Sequence, residues 1–131
     1  MTSTRKNFSS GAVWEDVVGY SRAVKVNNTI EVSGTVAADE DGHVVGKKDG
    51  YQQTIFILQK IEKSLKALGG SLKDVVRTRM FVTDMARFEE FGRAHGEVFS
   101  SIKPCTSMIQ ISALVEPDFL IDIEATAILN A

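Results

Sequence analysis

Two consecutive asparagines constrain this chain more than any other feature. Asn27 and Asn28 sit between two β-rich runs in "GYSRAVKVNNTIEVSGTVA". Asparagine tolerates the positive φ that a two-residue hairpin turn demands. Such a turn fixes the register of both strands. Val26 then pairs with Thr29, Val24 with Glu31, Arg22 with Ser33 and Tyr20 with Thr35. Strand side chains alternate between faces, so these last six residues share one side. Ala23, Ile30 and Val32 take the other, with Lys25 at its margin. One face is apolar and needs a cover. The opposite face carries a phenol, a guanidinium and two hydroxyls.

The cover comes from helices later in the chain. Residues 50–68 place Thr54, Ile57, Leu58, Ile61, Leu65 and Leu68 on one stripe. Asp49, with Gln52 three residues on, resembles a capping box, and Gly69-Gly70 ends the helix. Phe56 falls opposite the stripe, either as an isolated surface aromatic or as a contact outside the monomer core. A turn at "DEDGH" (39–43) precedes a short strand at 43–45. "DVVRTRMFVT" (74–83) alternates as a strand, with Val76, Thr78, Met80 and Val82 on one face and Arg77, Arg79 and Phe81 on the other. Asp84 caps a second helix, 85–99, striped by Met85, Phe88, Phe91, Gly92, His95 and Phe99. Gly92 and Gly96 each cost about 1 kcal/mol relative to alanine there and share a side. Pro104 breaks the chain after it. Strands follow at 106–112 and 119–128. The order β-β-(β)-α-β-α-β-β predicts an α+β fold, one sheet with two helices packed on one face. With 131 residues, 44% of them hydrophobic, a single domain over 1–131 is expected. Residues 1–15 read as a loose lead-in.

Several function classes are disfavoured by the same text. The net charge is −2 with both signs scattered, so no basic footprint for nucleic acid exists. No apolar run approaches the ~20 residues of a membrane span, and the first residues lack a secretory apolar region. One cysteine forms no internal disulfide, so a cytoplasmic protein is expected. No HExxH, paired cysteines or phosphate-binding glycine loop occurs, so no metal and no cofactor are expected. Cys105 needs a base to serve as a nucleophile. With His43 in a turn and His95 on a helix stripe, it reads as inert. His95 reads as either a hydrogen-bonded core or interface histidine or a pocket-lining acid or base. The last strand puts Asp122, Glu124 and Thr126 on one face. Glu124, flanked by small and apolar residues, needs a partner if buried, and Arg22 is the expected one.

The motifs "GYSRAV…VSGT", "V.TRMFVTD", "KPCTSMIQI" and "IDIEATAI" keep one order and spacing over residues 19–129. Together they resemble the YjgF/YER057c/UK114 family, also called the RidA or Rid family. The resemblance implies a mixed sheet similar to chorismate mutase of the bacillus type, two helices on one face, and a homotrimer with clefts between subunits. Its best-known branch hydrolyses enamine and imine intermediates to 2-keto acids and ammonia, and RNA cleavage has been attached to some members.

The resemblance also implies a site, residue by residue. The family tyrosine matches Tyr20, its serine Ser33 and its glutamate Glu124. The asparagine position is Gly92 and the cysteine position is Met108. The carboxylate-binding arginine of the Pro-x-Arg-Ser pattern is replaced by Thr106. A guanidinium makes two charge-assisted bonds to a carboxylate, whereas threonine offers one neutral hydroxyl. Losing a charged hydrogen bond costs ~1.5–3 kcal/mol, roughly tenfold to a few hundredfold in binding. The chain therefore resembles a branch without the arginine, in which ordinary 2-imino acid deamination is weak or absent. Arg22 either binds an anion in the cleft or neutralises Glu124. The implied function is a cofactor-independent hydrolase or deaminase on a small-molecule ligand, with Glu124 and Tyr20 catalytic and Arg22, Ser33, Thr106, Met108 and Gly92 at the substrate. The alternative is a non-catalytic metabolite-binding or protein-interaction trimer.

Overall fold

The computed structural model describes residues 4–130. Nine main elements follow in order: β1 (Lys6–Phe8), α1 (Val13–Val18), β2 (Ala23–Val26), β3 (Thr29–Thr35), α2 (Gly50–Ala67), β4 (Val75–Val82), α3 (Phe88–Phe99), β5 (Cys105–Gln110) and β6 (Ile121–Ile128). One six-stranded sheet is ordered β1-β2-β3-β6-β4-β5. The β4–β5 pair is parallel and the other pairs are antiparallel. The sheet is therefore mixed, and α2 and α3 cover one face, as the element pattern predicts. Residues 1–3 and 131 lie outside the described residues, including the first part of the expected lead-in.

The asparagine turn sets the hairpin as expected. Asn27 has φ 54°, and Val26↔Thr29, Val24↔Glu31 and Ala23↔Val32 are paired. The Ser33 N–H donates to the Arg22 carbonyl at 3.0 Å, so that pairing also holds. Two corrections appear beyond it. A register shift between Val32 and Thr35 turns Thr35 onto the core face, where it is 1% exposed. An inserted residue shifts the two-residue alternation by one, so Thr35 leaves the polar side. Tyr20 precedes β2 and follows the turn that ends α1, so it has no strand partner. The described part of the lead-in is not loose either. Its β1 pairs with β2 (Lys6↔Lys25, Phe8↔Ala23), giving the hairpin's outer strand backbone partners. Strand β1, with 3 residues, and helix α1, with 6, are too short to carry a periodic signal.

The core lies between the sheet and the two long helices. Ile57, Leu58, Ile61 and Leu65 of α2 are buried against Ile30, Val32, Met80, Val82, Ile121 and Ile123. Asp49 caps α2, its side chain accepting from the Gln52 N–H at 3.0 Å. Buried Gln53 stands among apolar neighbours because its amide donates to the Asp118 carbonyl and accepts from the Leu120 N–H. Phe56 is partly buried and packs on the core edge, where Lys60 Nζ lies 5.8 Å from its ring centroid. Lys60 also donates to the carbonyls of Val36 and Ala38, at 2.9 and 3.0 Å.

The second helix is modified at its start. Asp84 accepts from the Ala86 N–H in a 3₁₀ turn (Met85–Arg87) that precedes α3. The buried side of α3 is Phe91, Ala94 and Phe99. Phe88, expected on the stripe, is 53% exposed, because the packed face is rotated toward Ala94 and Val98. In β4 a register shift between Val75 and Arg77 buries Val75 and leaves Val76 exposed, against the expected alternation. Among the described residues, no helix is long and apolar enough to cross a membrane.

Candidate functional site

One group of candidates forms at the β2–β3 end of the sheet. Gly19 ends α1 with φ 89°, a conformation glycine adopts without penalty. The Gly19 and Tyr20 N–H groups both donate to the Glu15 carbonyl, at 2.9 Å. This tight turn brings Tyr20 over Arg22, whose guanidinium carbon lies 5.6 Å from the ring centroid. Ser33 donates its hydroxyl to the Ser21 carbonyl at 2.7 Å. Its single proton is thereby used, and its oxygen is left with acceptor capacity only. Tyr20, Ser33, Glu15, Asn7 and Arg5 line a recess of about 530 Å³.

Arg22 is 9% exposed, and its Nη2 donates to the Gly34 carbonyl. It does not pair with Glu124, the partner expected for it. Glu124 Oε1 instead lies 3.7 Å from Nη1 of Arg79, directly across the β4–β6 ladder. Both of those side chains are about two-fifths exposed, so solvent screens the pair. The carboxylates near Arg22 are Glu15 and Asp122, and Lys60 is a like charge close enough to feel it.

Asp122 is the residue that sequence reasoning missed. Its Oδ1 is buried without a hydrogen-bond partner. Burial pushes its carboxyl above the ordinary value, the neighbouring Glu124 charge adds to that, and Arg22 with the Thr35 and Ile123 N–H groups opposes it. A Cβ at residue 34 would stand 2.8 Å from both carboxyl oxygens, so glycine at 34 opens the seat that Asp122 occupies. Glu15 is a second buried carboxylate. Burial raises it, but hydrogen bonds from Ser10 and Ser9, helped by Arg22, win and hold it below its ordinary value. Its Oε1 is buried and unpartnered as well. The available signal for Asp122 was alternation, which places it beside Glu124 on one strand face.

A second group forms at the opposite edge. Thr106 on β5 lies in parallel register with Thr78 on β4. Their hydroxyl oxygens are 2.8 Å apart. Thr78 Oγ1 is also 2.8 Å from His95 Nε2, and Thr106 Oγ1 is 3.5 Å from it. Thr78 is fully buried and Thr106 exposed. The His95 ring packs at 4.7 Å on Phe99, and burial holds its imidazole below the ordinary value. Met108 is half-buried at the core margin. Gly92 meets nothing within 4 Å of a built Cβ and lines a recess of about 490 Å³ with Phe88 and Arg93. Cys105 is exposed, and its neighbour across the ladder is Arg77.

Within one chain these groups do not meet. Strands β6 and β4 stand between β3 and β5. The structure thus gathers Tyr20, Arg22 and Ser33 toward one end, with Asp122 on the adjoining β6, and Thr106 with His95 toward the other, with Thr78 on the adjoining β4. Elsewhere, Asp39, Asp41 and His43 bring possible ligand atoms within 4.8 Å of one another in an exposed turn. There Asp39 Oδ1 already accepts the Asp41 and His43 N–H groups, both at 2.9 Å, which accounts for its place.

Comparisons with known proteins agree with this architecture. A family described as endoribonuclease L-PSP has a model that matches residues 12–129. The 3-aminoacrylate deaminase RutC of Acinetobacter baylyi is 36% identical over 108 residues, covering 82% of this chain and 85% of that protein. A RutC family protein of Pyrococcus abyssi is 33% identical over 108 residues, with 82% and 84% covered. Among solved structures, Rv2704 of Mycobacterium tuberculosis, described as a YjgF/YER057c/UK114 family member, superposes with a TM-score of 0.87 at 40% identity. It covers 96% of this chain and 100% of that one.

Proposed function

Because this chain belongs to the endoribonuclease L-PSP family, which includes the YjgF/YER057c/UK114 proteins, we propose that it is a homotrimeric, cofactor-independent hydrolase or deaminase of a small metabolite. The observation that carries this reading is the division of the candidate residues between opposite ends of one sheet. A head-to-tail contact sets the β5 edge of one copy beside the Tyr20–Ser33 end of the next. Such heterologous contacts close into rings when the rotation allows. Each cleft then joins Tyr20, Ser33 and Asp122 of one copy to Thr106, Met108 and Gly92 of another.

In imine hydrolysis, water adds to the C=N carbon, a proton reaches the nitrogen, and ammonia leaves as the carbonyl forms. Asp122 suits the acid role, because burial and the Glu124 charge favour its protonated form. Glu124 stays in the proposal as the neighbour that sustains this and orients water. Tyr20 and Ser33 hold the ligand, with Ser33 taking a hydrogen bond from it. Arg22, bonded to the Gly34 carbonyl, supports the fold of this end and tempers Asp122. Thr106 supplies no cationic clamp, so the chain belongs to a branch with weak or absent activity on 2-aminoacrylate-type imines.

The test is a panel of small imines, enamines and amides, followed by ammonia and carbonyl release. Turnover that falls in Asp122→Asn, with the trimer intact, supports the enzyme. Thermal shifts without turnover across the panel make the protein a binder. A rate on 2-aminoacrylate equal to that of arginine-bearing relatives overturns the branch assignment.

A further inference from the structure

We propose that His95 is the proton acceptor of a hydroxyl relay, Thr106 to Thr78 to His95, whose outer hydroxyl opens into the cleft. The inference rests on the reading above that Thr106 lines the ligand site. Three observations carry it. The oxygens of Thr106 and Thr78 and the Nε2 of His95 form successive contacts of 2.8 and 2.8 Å. The outer member is exposed, the middle one is fully buried and His95 is half-buried, so the chain runs from the surface through a buried hydroxyl to a partly shielded ring. The environment of the inner member is uncharged. Thr78 and Thr106 face it from β4 and β5, Phe99 packs on it from its own helix, and burial disfavours its charged form. Arg77 and Arg79 alternate to the other face of the sheet.

The direction of the relay follows from counting protons. Each threonine hydroxyl has one proton to give. If Thr78 gives its proton to Nε2, its oxygen is free to accept from Thr106 at 2.8 Å, a shorter contact than the 3.3 Å from Thr106 to its other acceptor, the Pro104 carbonyl. Thr106 then accepts from a ligand or from the water that attacks it. As that water is deprotonated, Thr106 takes its proton and passes its own to Thr78. Thr78 passes its proton to Nε2, which leaves an imidazolium and two intact hydroxyls. The hydroxide adds to the C=N carbon. With the nitrogen protonated by Asp122, the adduct is a neutral carbinolamine. The imidazolium then returns its proton along the same path to that nitrogen, and the C–N bond breaks to release ammonia while the adduct's O–H proton passes to the Asp122 carboxylate as C=O forms. A base reached through hydroxyls also gives this end of the cleft a neutral lining. It therefore suits a ligand whose group at Thr106 is uncharged, in place of a carboxylate.

Nitrogen NMR of the imidazoles decides the direction without any substrate. The chain has two histidines, and the exposed His43 is identified by His43→Gln. The expected result is a neutral His95 with its proton on Nδ1 and Nε2 as acceptor. In Thr78→Val the loss of the donor to Nε2 moves the titration of His95 upward, toward the ordinary histidine value. A proton on Nε2 in the unmodified protein overturns the relay, since His95 would then donate into the hydroxyls. This readout needs only the exposed-turn variant His43→Gln, for assignment. On a panel compound that turns over, the rate rises with pH through the His95 titration. In His95→Asn that limb is lost, with kcat falling at least tenfold and KM unchanged. An unchanged profile in His95→Asn also overturns the relay. Absence of turnover on the whole panel refutes the enzymatic reading instead, and the imidazole spectra still judge the hydrogen-bond direction.

Discussion

Gly34 is defined by what faces it. A methyl group there would press at 2.8 Å on both oxygens of the Asp122 carboxyl. Overpacking of a filled site costs typically ~1–3 kcal/mol. Gly34→Ala is expected to lose about that much in urea denaturation, and to lose little when Asp122→Ala is already present. Equal losses in both backgrounds would show that the two sites are not coupled. Asp122 also gives a signed pH dependence. Its folded carboxyl titrates above the unfolded one, so between those values the folded state holds more protons. Stability from this group is therefore present at acid pH and lost as pH rises through the folded value. Asp122→Asn is expected to be flatter than the parent over that window and more stable at neutral pH. A steeper decline in the variant would reverse the sign and refute the assignment.

At the scale of elements, much was legible because it is local. The Asn27-Asn28 turn, the stripe of α2 and the Asp49 cap each depend on residues within a few positions. Asp49→Ala removes the acceptor of the Gln52 N–H, and caps of this kind are worth typically ~1 kcal/mol. A urea midpoint unchanged by that substitution would show that the cap adds nothing here. What depends on distant pairing was not legible. The chain does not announce that β6 inserts between β3 and β4, and that insertion sets Glu124 opposite Arg79 and so releases Arg22 to Gly34. Nor does it announce the register shifts at 32–35 and 75–77, which turn Thr35 inward and Val76 outward. Alternation places Asp122 and Glu124 on the same face. Only the closeness of Gly34 and the burial of Oδ1 single out Asp122. Thr78 was legible as a core-facing residue, but its bonds to His95 and Thr106 require two elements to meet.

The whole molecule makes a prediction about mass. The division of the candidate site between sheet ends calls for a trimer, so light scattering at micromolar concentration is expected to give three times the 14.3 kDa chain. A result at the single-chain mass refutes both the trimer and the shared cleft. The two ends of the sheet are unlike in another respect. At one end β1 is only 3 residues long, a short border with little to offer a stray strand. At the other, β5 runs for 6 residues, is paired on one side alone, and exposes Ile109. A protomer parted from its neighbours shows a bare row of backbone donors and acceptors along that border. Dilution, or any substitution that loosens the ring, thus converts a question of assembly into one of protein quality control. The first sign of a weakened trimer would be aggregates seeded at β5, appearing before any loss of helix from the folded chain.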